Sequence, residues 1–337
     1  MKNYLRILVT GGLGFIGSNF IRSILSNYPE FEITNLDKIG IGSNATNLED
    51  MPREARYNFI KGNINNLDLM NDLVKDFDFV VNFAAETHVD RSISNPCSFF
   101  ENNTTGTLTI LEAMRKSKKK VKLIQVSTDE VYGDIDHGSF SEADILRPSS
   151  PYSASKAAGD LAILSYYRTY DIDAVICRCT NNFGSYQFPE KLIPKIIIRA
   201  SLNLKIPIYG NGKNVRDWIY VLDHCKALTS LLKKGKAGEI YNISSGNEYK
   251  NIEIVKMILQ IMDKDDSLID YVEDRPGHDT RYSLDSSKLM EKTGWKPNSN
   301  FKEAIKETVN WYLKNELWWR PISSEQVLHP SSWKLKW

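Results

Sequence analysis

The sequence predicts an α/β protein in which a doubly wound parallel sheet is followed by a smaller second domain. Short apolar runs such as "RILVT" and "KLIQVST" alternate with amphipathic stretches through the first half of the chain. That alternation is typical of a parallel sheet that helices cover on both faces. From Asn181 onward the composition changes to loops rich in Pro, Asn and Gly, which indicates a second domain of different construction.

The expected elements of the first half follow in a regular order. A strand at "RILVT" precedes a helix from about Phe15, a strand at "EITNLD", a helix near "LDLMNDLVKDF" and a strand at "DFVVNFAA". A helix over "FENNTTGTLTILEAMRKS", the strand "KLIQVST", a long helix beginning near Tyr152 and the strand "DAVICRCT" come next. About six strands therefore precede residue 181, and the regular pattern returns in "YVLDHCKALTSLLKKG" and "EIYNISSG".

The bulk composition is that of an ordinary globular protein. The 337 residues are 42% hydrophobic and 25% charged, with a formal net charge of +1. A nearly neutral chain has no overall field that attracts nucleic acid or an anionic membrane, so we expect neither as a partner. The N-terminus opens on a strand, and no run reaches the roughly 18 apolar residues of a membrane span, so we expect a cytoplasmic protein.

The cysteines give no sign of a metal or redox site. Cys97, Cys177, Cys179 and Cys225 form no CxxC pair, and we expect all four to be buried, reduced thiols. Cys177 and Cys179 alternate along an expected strand and should share one of its faces. We therefore predict that the protein holds no metal.

A glycine-rich turn follows the first strand, in "TGGLGFIGSNF", where Gly11, Gly14 and Gly17 stand three apart. Glycines are needed where such a turn is tight, where backbone approaches a pyrophosphate, and where the helix packs closely on the sheet. Asp37 lies 20 residues beyond Gly17, where a carboxylate accepts hydrogen bonds from ribose hydroxyls and repels a 2′-phosphate. The pattern predicts a Rossmann-type domain that binds NAD, with NADP left open by the cation of Lys38.

Two pairs of side chains predict chemistry in the same half. In "SPYSASKAAGDLA", Tyr152 and Lys156 stand four apart and so share one face of a helix. A neighbouring ammonium and a positive nicotinamide favour the phenolate, which can remove a hydroxyl proton while the carbon gives up hydride. In "QVSTDEVYG", Asp129 and Glu130 lie where an apolar strand ends. Adjacent carboxyls there are costly to desolvate, so they either face water or take part in a reaction.

Four stretches carry a resemblance to a known family. The order and spacing of "TGGLGFIGSNF", "NFAAETHVDRS", "STDEVYG" and "PYSASK" are similar to those of extended short-chain dehydrogenases/reductases, over roughly residues 5 to 315. The Asp129-Glu130 pair resembles that of the dTDP-glucose 4,6-dehydratases within this family. The resemblance implies dehydration of dTDP-glucose to dTDP-4-keto-6-deoxyglucose with tightly bound NAD, by oxidation at C4, loss of water across C5 and C6, and hydride return to C6. It also implies a homodimer built on paired helices.

The resemblance further implies a role for each matching residue. Tyr152 would be the base at the C4 hydroxyl and Lys156 its electrostatic partner. Thr128 would hydrogen-bond the same hydroxyl. Glu130 would be the C5 base and Asp129 the C6 acid, since two carboxyls in different protonation states can supply both functions. The residues that would line the cofactor are Gly11, Gly14, Phe15, Ile16, Gly17, Asp37, Lys38, Asn63, Ile64, Ala84, Ala85, Thr87, Asn103, Tyr152, Lys156 and Asn182.

A further set would contact the nucleotide sugar, and arginine's forked donors suit its diphosphate. The set is Thr87, Thr128, Asn181, Lys191, Leu192, Tyr209, Arg216, Asn251, Arg275 and His278. His88 and Asp90 are expected to form a structural hydrogen-bond network. The expected domains are 1–180 with about 215–245 for NAD, 181–214 with about 246–320 for the nucleotide sugar, and a tail at 321–337.

Three positions depart from the pattern that the family usually shows. Gly40 and Ile41 stand in place of a threonine and a tyrosine in "DKIGIGSN", and Asn63 stands where an aspartate commonly meets the adenine amino group. An amide oxygen still accepts that hydrogen bond. We therefore expect weaker binding of the adenosine half of NAD and no change of cofactor.

Alternative functions need different residues. A UDP-hexose 4-epimerase shares the glycine turn, Tyr152 and Lys156, but has no use for an acid–base pair at C5 and C6. A UDP-glucuronate decarboxylase has the glutamate without its acidic neighbour. A UDP-glucose 4,6-dehydratase stays open, because contact with one methyl group discriminates by only about 1–3 kcal/mol. A non-catalytic NAD-binding sensor is expected to have lost Tyr152, Lys156 or the carboxyls, and all are present.

Overall fold

The alternating apolar and amphipathic stretches form twelve strands and twelve α-helices within residues 4–49 and 55–337, which the computed structural model describes. The strands are β1 (Leu5–Thr10), β2 (Phe31–Asp37), β3 (Tyr57–Lys61), β4 (Phe79–Asn82), β5 (Lys122–Thr128), β6 (Ala174–Cys179), β7 (Asn181–Phe183), β8 (Ile206–Tyr209), β9 (Val215–Tyr220), β10 (Ile240–Ile243), β11 (Glu248–Lys250) and β12 (Ile269–Val272). The helices are α1 (Phe15–Asn27), α2 (Leu67–Val74), α3 (Val89–Ser94), α4 (Pro96–Phe99), α5 (Gly106–Lys116), α6 (Pro151–Tyr170), α7 (Leu192–Ser201), α8 (Val221–Lys234), α9 (Asn251–Ile261), α10 (Ser287–Thr293), α11 (Phe301–Lys314) and α12 (Glu316–Trp319).

Seven of the strands form one parallel sheet in the order β10-β6-β5-β4-β1-β2-β3. Alternate side chains of β1 point to opposite faces: Ile7 and Val9 pack with α1 and α8, whereas Leu8 packs with α2, α5 and α6. Both faces of the sheet are therefore covered by helices. The predicted fold class, a Rossmann-type doubly wound sheet, is confirmed.

The strand order reverses between β1 and β4, and this reversal determines where a ligand site can form. The chain leaves β1 towards β2 on one side, and β4 continues towards β5 on the other. A crevice opens outside the carboxyl ends of the strands at such a point. A buried polar row supports its floor: Thr10 Oγ1 donates to Asn82 Oδ1 at 2.6 Å, and Asn82 Nδ2 donates to Gln125 Oε1 at 2.8 Å.

The second half forms a smaller unit with its own core. A three-stranded sheet, β11-β9-β7, and the parallel pair β12-β8 carry α7, α9 and α11, whose apolar side chains form one cluster. The two units meet along β9. Residues 215–220 pair within the three-stranded sheet, whereas Ile219 packs in the core of the Rossmann unit. Leu289 and Trp295, in and just after α10, pack into the core of the Rossmann unit, not into that of the second unit.

One expectation about the cysteines is wrong. Cys177, Cys179 and Cys225 are buried, but Cys97 is exposed. It lies in the single turn of α4, where Phe99 is the residue that points into the protein. No three His, Cys, Asp or Glu side chains within 4–49 and 55–337 are grouped to hold a metal ion. No helix in the same ranges has the length and apolar character that crossing a membrane requires.

Candidate active site

A deep cleft lies over the carboxyl ends of β1, β2, β4, β5 and β6, and the loop of residues 181–191 forms its far wall. This is the position that the reversal of strand order predicts. Most of the expected site residues line it. Those that do are Gly11, Gly14, Phe15, Ile16, Gly17, Asp37, Lys38, Asn63, Ile64, Ala84, Ala85, Thr87, Thr128, Asp129, Glu130, Tyr152, Lys156, Asn181, Asn182 and Lys191.

The glycine turn has the geometry of an anion cradle. Gly11 has φ +73°, and a Cβ there would lie 2.6 Å from the backbone nitrogen of Ala84. A Cβ on Gly17 would lie 2.5 Å from the carbonyl oxygen of Gly11, so α1 packs directly on the turn. Gly14 precedes α1 and has no side chain to cap it. The amides of the first helical turn lack intrahelical acceptors and suit a phosphate group, so the residues fit a dinucleotide.

Asp37 is buried at the end of β2 and organises the neighbouring loop. Its Oδ2 accepts a hydrogen bond from the backbone nitrogen of Leu13 at 3.0 Å. Its Oδ1 accepts from the backbone nitrogen of Ile39 at 2.8 Å and from Ser43 Oγ at 3.0 Å. A carboxylate has about four acceptor positions, so one position is left for a ribose hydroxyl. Ser43, which also lines the cleft, was missed by sequence reasoning.

The cation of Lys38 is held away from Asp37. Its Nζ donates to Asn102 Oδ1 at 2.6 Å and lies 3.5 Å from Glu86 Oε1, on the opposite side of the cleft. An ammonium that already has these partners is poorly placed to attract a 2′-phosphate beside Asp37. The arrangement therefore favours NAD over NADP.

The adenosine end of the cleft contains the three positions that depart from the family pattern. Gly40, Ile41 and Asn63 all line it, together with Ile64. Asn63 Oδ1 accepts from the backbone nitrogen of Asn65 at 3.0 Å. An amide oxygen has a second lone pair, so it can still accept a hydrogen bond from an adenine amino group.

Asn103, which the resemblance assigns to the cofactor, is not among the described residues that line the cleft. Its Oδ1 accepts from the backbone nitrogen of Glu86 at 2.8 Å. Its Nδ2 donates to the carbonyl oxygen of Glu86 at 3.0 Å and to Ser155 Oγ at 2.9 Å. Both ends of the amide are thus used inside the protein. The side chain holds the turn after β4 in place by binding Glu86, which itself lines the cleft.

Asp129 and Glu130 occupy a 3₁₀ turn that Thr128 caps at the end of β5. Thr128 Oγ1 accepts from the backbone nitrogen of Glu130 at 3.3 Å and donates to Asp129 Oδ1 at 3.1 Å. Asp129 is buried, and its Oδ2 has no hydrogen-bond partner within the described residues. From the sequence alone, the two carboxyls could face either water or a reaction site. The structure turns both into the cleft.

The two carboxyls differ in their electrostatic surroundings. Burial raises the pKa of Asp129 well above its usual range, and the charge of Glu130 raises it further. Burial also raises the pKa of Glu130, but Arg275, Arg216 and Lys191 act in the opposite direction. Three cations oppose the effect of burial at Glu130 and one, Arg216, does so at Asp129, so the surroundings favour Asp129 as the carboxyl that holds a proton.

Tyr152 and Lys156 lie in the first turns of α6. Pro151 is the first residue of this helix, and Ser150 and Ser153 form a capping box before it. Burial and the charge of Glu130 raise the pKa of the Tyr152 phenol well above its usual value, and a hydrogen bond with Thr128 lowers it in part. Burial lowers the pKa of Lys156, whose Nζ donates to the carbonyl oxygen of Val126 at 2.7 Å. The protein's own groups therefore favour the phenol form.

Six of the expected substrate residues are not among the described residues that line the cleft. They are Leu192, Tyr209, Arg216, Asn251, Arg275 and His278. Asp90 holds two of them, since Tyr209 Oη donates to its Oδ2 at 2.6 Å and Arg275 Nη1 donates to its Oδ1 at 2.9 Å. Asp90 therefore accepts hydrogen bonds from two residues of the second unit.

Arg216 is also held firmly. Its Nη2 donates to the carbonyl oxygen of Asp279 at 2.9 Å, and its guanidinium stacks over the ring of Tyr282 at 4.2 Å. Although Arg216 lies outside the described lining, it is close enough to lower the pKa of Glu130. Its charge therefore acts on the carboxyl pair inside the cleft.

Two further residues were missed by sequence reasoning. Glu190 lines the cleft, and its Oε1 pairs with Arg91 Nη2 at 3.1 Å. Its position just before Lys191 in "PEKLIP" could have identified it from the sequence as a residue of the cleft. Tyr282 is buried beside Glu130, whose charge raises the phenol's pKa further. It lies in "TRYSLD", where nothing local indicates a role.

The chain is similar to known 4,6-dehydratases over most of its length. A family model described as GDP-mannose 4,6 dehydratase matches residues 8–308, which places the chain among the 4,6-dehydratases. A dTDP-glucose 4,6-dehydratase of Streptomyces niveus is 44% identical over 324 residues, covering 95% of this chain and 96% of the relative. The chain belongs to the dTDP-glucose 4,6-dehydratase family, and the resemblance found in the sequence is confirmed.

Solved structures show the same fold with a cofactor. The dTDP-glucose 4,6-dehydratase of Bacillus anthracis in complex with NAD is 43% identical, with a TM-score of 0.89, covering 95% of this chain and 100% of that one. The enzyme DesIV of Streptomyces venezuelae, also with NAD bound, is 43% identical with a TM-score of 0.92 and the same coverage.

Proposed function

We propose that this protein is an NAD-dependent dTDP-glucose 4,6-dehydratase, a hydro-lyase that forms dTDP-4-keto-6-deoxyglucose. The observation that carries the proposal is the buried Asp129 beside the cation-flanked Glu130, in the same cleft as Tyr152. An epimerase that acts only at C4 needs no such pair. The family to which the chain belongs supports the same reaction.

The residues of the cleft fit NAD. The helix amides after Gly14 would hold its pyrophosphate, Asp37 a ribose hydroxyl, Asn63 and Ile64 the adenine, and Lys156 the second ribose. When bound, NAD supplies a positive charge that favours the phenolate, accepts a hydride from C4 and returns it to C6. Tyr152, as the phenolate, takes the proton of the C4 hydroxyl, which Thr128 orients.

The carboxyl pair then removes water. A ketone at C4 acidifies the proton on C5, and Glu130 accepts it, since Arg216, Arg275 and Lys191 favour the ionised form of this carboxyl. Asp129 gives its retained proton to the C6 hydroxyl, and water leaves. Glu130 returns a proton to C5 when C6 is reduced, and the proton from the C4 hydroxyl replaces the one that Asp129 has lost.

The substrate's diphosphate would meet cations that are already positioned. Arg275 is fixed by Asp90 and Arg216 by the carbonyl oxygen of Asp279, so little side-chain entropy is lost when they bind. Asn181 lines the adjoining part of the cleft. We assign Leu192, Tyr209, Asn251 and His278 to the outer, nucleotide-facing part of this site.

We also propose a cytoplasmic homodimer. Helix α6 exposes Leu161, which is 58% accessible, and Ser165 one turn later, on a face that is available to a second copy. Pairing of α5 and α6 with the same helices of a partner would bury them. The four free cysteines suit a reducing compartment.

Mass spectrometry of dTDP-glucose incubated with the purified protein in deuterated water tests the function. No reductant or electron acceptor is added. We expect loss of one water and a single deuterium at C5, because the C5 proton exchanges at Glu130 and the hydride is internal. Unchanged mass with formation of the galactose epimer would mean an epimerase. A parallel reaction with UDP-glucose separates the two nucleotides, and a faster reaction there would overturn the assignment of dTDP.

A further inference from the structure

One side chain of the tryptophan-rich C-terminal segment is connected to the glycine turn by hydrogen bonds. Trp318, in α12, donates its Nε1 hydrogen to Asn47 Oδ1 at 2.8 Å. Asn47 is buried, and its Nδ2 donates to the carbonyl oxygen of Leu13 at 2.8 Å. Leu13 lies between Gly12 and Gly14, so two hydrogen bonds connect the second unit to the middle of the turn.

The Leu13 residue is fixed at both of its backbone polar groups. Its nitrogen donates to Asp37 Oδ2, and its carbonyl oxygen also accepts from the backbone nitrogen of Asn44 at 3.0 Å. The amide of Asn47 can serve this carbonyl only in one of its two orientations. The indole of Trp318 selects that orientation, because an N–H donor requires the amide oxygen on its own side.

The indole itself is held in place by other aromatic rings. Its centroid lies 4.9 Å from that of Trp311 and 5.8 Å from that of Tyr186, with both rings near perpendicular to it. Trp311 belongs to α11, whereas Tyr186 precedes Gln187 and Phe188 of the far wall of the cleft. The guanidinium of Arg22, on α1, lies 4.6 Å from the Tyr186 ring. The indole thus sits where α1, the far wall and α11 meet.

We propose that Trp318 is a positioning residue for the cofactor: through Asn47 it fixes the Leu13 carbonyl, and with it the glycine turn that holds the pyrophosphate. The inference rests on the proposed function, since it takes NAD to be the ligand of this turn. It assigns a role to a segment whose sequence has no interpretable motif. It also makes cofactor retention depend on the docking of the second unit.

The chain provides a matched control in the next residue. Trp319 donates its Nε1 hydrogen to the carbonyl oxygen of Tyr312 at 2.9 Å, entirely within the C-terminal helices. Trp319 is more buried than Trp318, so its replacement by phenylalanine should reduce overall stability at least as much. It does not contact the Rossmann unit through this bond. If the replacements acted only by destabilising the whole protein, NAD release would therefore be faster in Trp319→Phe than in Trp318→Phe.

The test compares Trp318→Phe and Trp319→Phe with the wild-type holoenzyme by the rate at which bound NAD exchanges with labelled NAD. We expect Trp318→Phe to release NAD about tenfold faster, as loss of one hydrogen bond can produce, and Trp319→Phe to stay near the wild-type rate. Saturating NAD should restore the turnover of Trp318→Phe, with an unchanged KM for dTDP-glucose. The double variant Trp318→Phe/Asn47→Leu should release NAD no faster than Asn47→Leu alone, because both changes interrupt one chain of contacts.

The outcomes separate this inference from the proposed function. Equal NAD release by the two tryptophan variants, with a wild type that retains NAD, would overturn only the role of Trp318. Additive effects in the double variant would also overturn it, because the two residues would then act independently. A wild-type protein that binds no NAD would overturn the proposed function, and the inference with it.

Discussion

Asp129 and Glu130 are neighbours in sequence and both line the cleft, yet three cations lower the pKa of Glu130 and only one of them, Arg216, lowers that of Asp129. Glu130→Gln removes the C5 base but leaves the groups that act at C4. We expect the rate of dehydration to fall by about 10²–10⁴-fold, with reduced cofactor accumulating and no deuterium entering C5. Cofactor absorbance and mass spectrometry of the sugar in deuterated water measure the two effects.

Asp129→Asn should separate the two carboxyl roles. An asparagine cannot protonate the C6 hydroxyl, so water loss should fall while deuterium still enters C5 through Glu130. Tyr152→Phe is the matched control and should stop both processes, because no ketone forms at C4. Intact dehydration in the Asp129→Asn/Glu130→Gln double variant would refute the acid–base assignment.

Arg216 acts on the substrate end of the site. Arg216→Ala should raise the KM for dTDP-glucose by about 10–100-fold, because a hydrogen bond to a charged group contributes about 1.5–3 kcal/mol. Steady-state kinetics measure this change. Arg115→Ala, which breaks the exposed pair of Arg115 with Glu112 on α5, should leave KM unchanged. An unaltered KM in Arg216→Ala would remove this residue from the diphosphate site.

Helix α6 carries Tyr152 and Lys156 in its first two turns, so its N-terminal cap bears on both stability and chemistry. Ser150→Ala should lower the free energy of unfolding by about 1 kcal/mol and lower kcat several-fold with little change in KM. Denaturant unfolding and steady-state kinetics measure the two effects. Asn300→Ala removes the equivalent cap of α11, far from the cleft, and should affect stability alone. Equal kcat in the two variants would show that the cap does not position Tyr152.

The parts of the site that local sequence determines were predictable. The glycine turn, Asp37 and the Tyr152-Lys156 helix each lie within one element and its boundary, where strand ends and glycine spacing carry the signal. Asn103 shows the limit of this reasoning. Its position in the chain fits a cofactor contact, but its amide is used by Glu86 and Ser155, and only tertiary packing decides that.

The contacts between the two units could not be read from the sequence at all. Asp90 meets Arg275 at a separation of 185 residues, and Trp318 meets Asn47 at a separation of 271 residues. No periodicity or motif connects positions so far apart. The pairing of β9 is hidden for a related reason: β9 looks like any short strand, and its partners β7 and β11 are known only from the fold.

Buried histidines make the stability of the folded protein depend on pH in a definite direction. Burial lowers the pKa of His88 to about 4 and that of His224 to about 3, from an ordinary value of 6.5. Below pH 6.5 these histidines take up protons in the unfolded chain, whereas in the folded protein they do so only near the lower pKa values. The stability of the folded protein therefore falls as the pH falls through this window. By pH 4, each histidine lowers the free energy of unfolding by on the order of 3 kcal/mol relative to neutral pH, at about 1.4 kcal/mol per pKa unit.

His224→Gln isolates one of these contributions. His224 Nδ1 pairs with Asn182 Oδ1 at 2.9 Å, and the glutamine amide can donate the same hydrogen bond without titrating. We expect the free energy of unfolding of this variant, measured in urea from pH 7.5 to 4, to decline less steeply with acidification than that of the wild type. The exposed His137→Gln is the matched control and should leave the wild-type slope unchanged. Since carboxyls with raised pKa, such as Asp129, act in the opposite direction in every variant, the difference from wild type reports His224 alone. A slope identical to that of the wild type would mean that His224 has the same pKa in the folded and the unfolded protein.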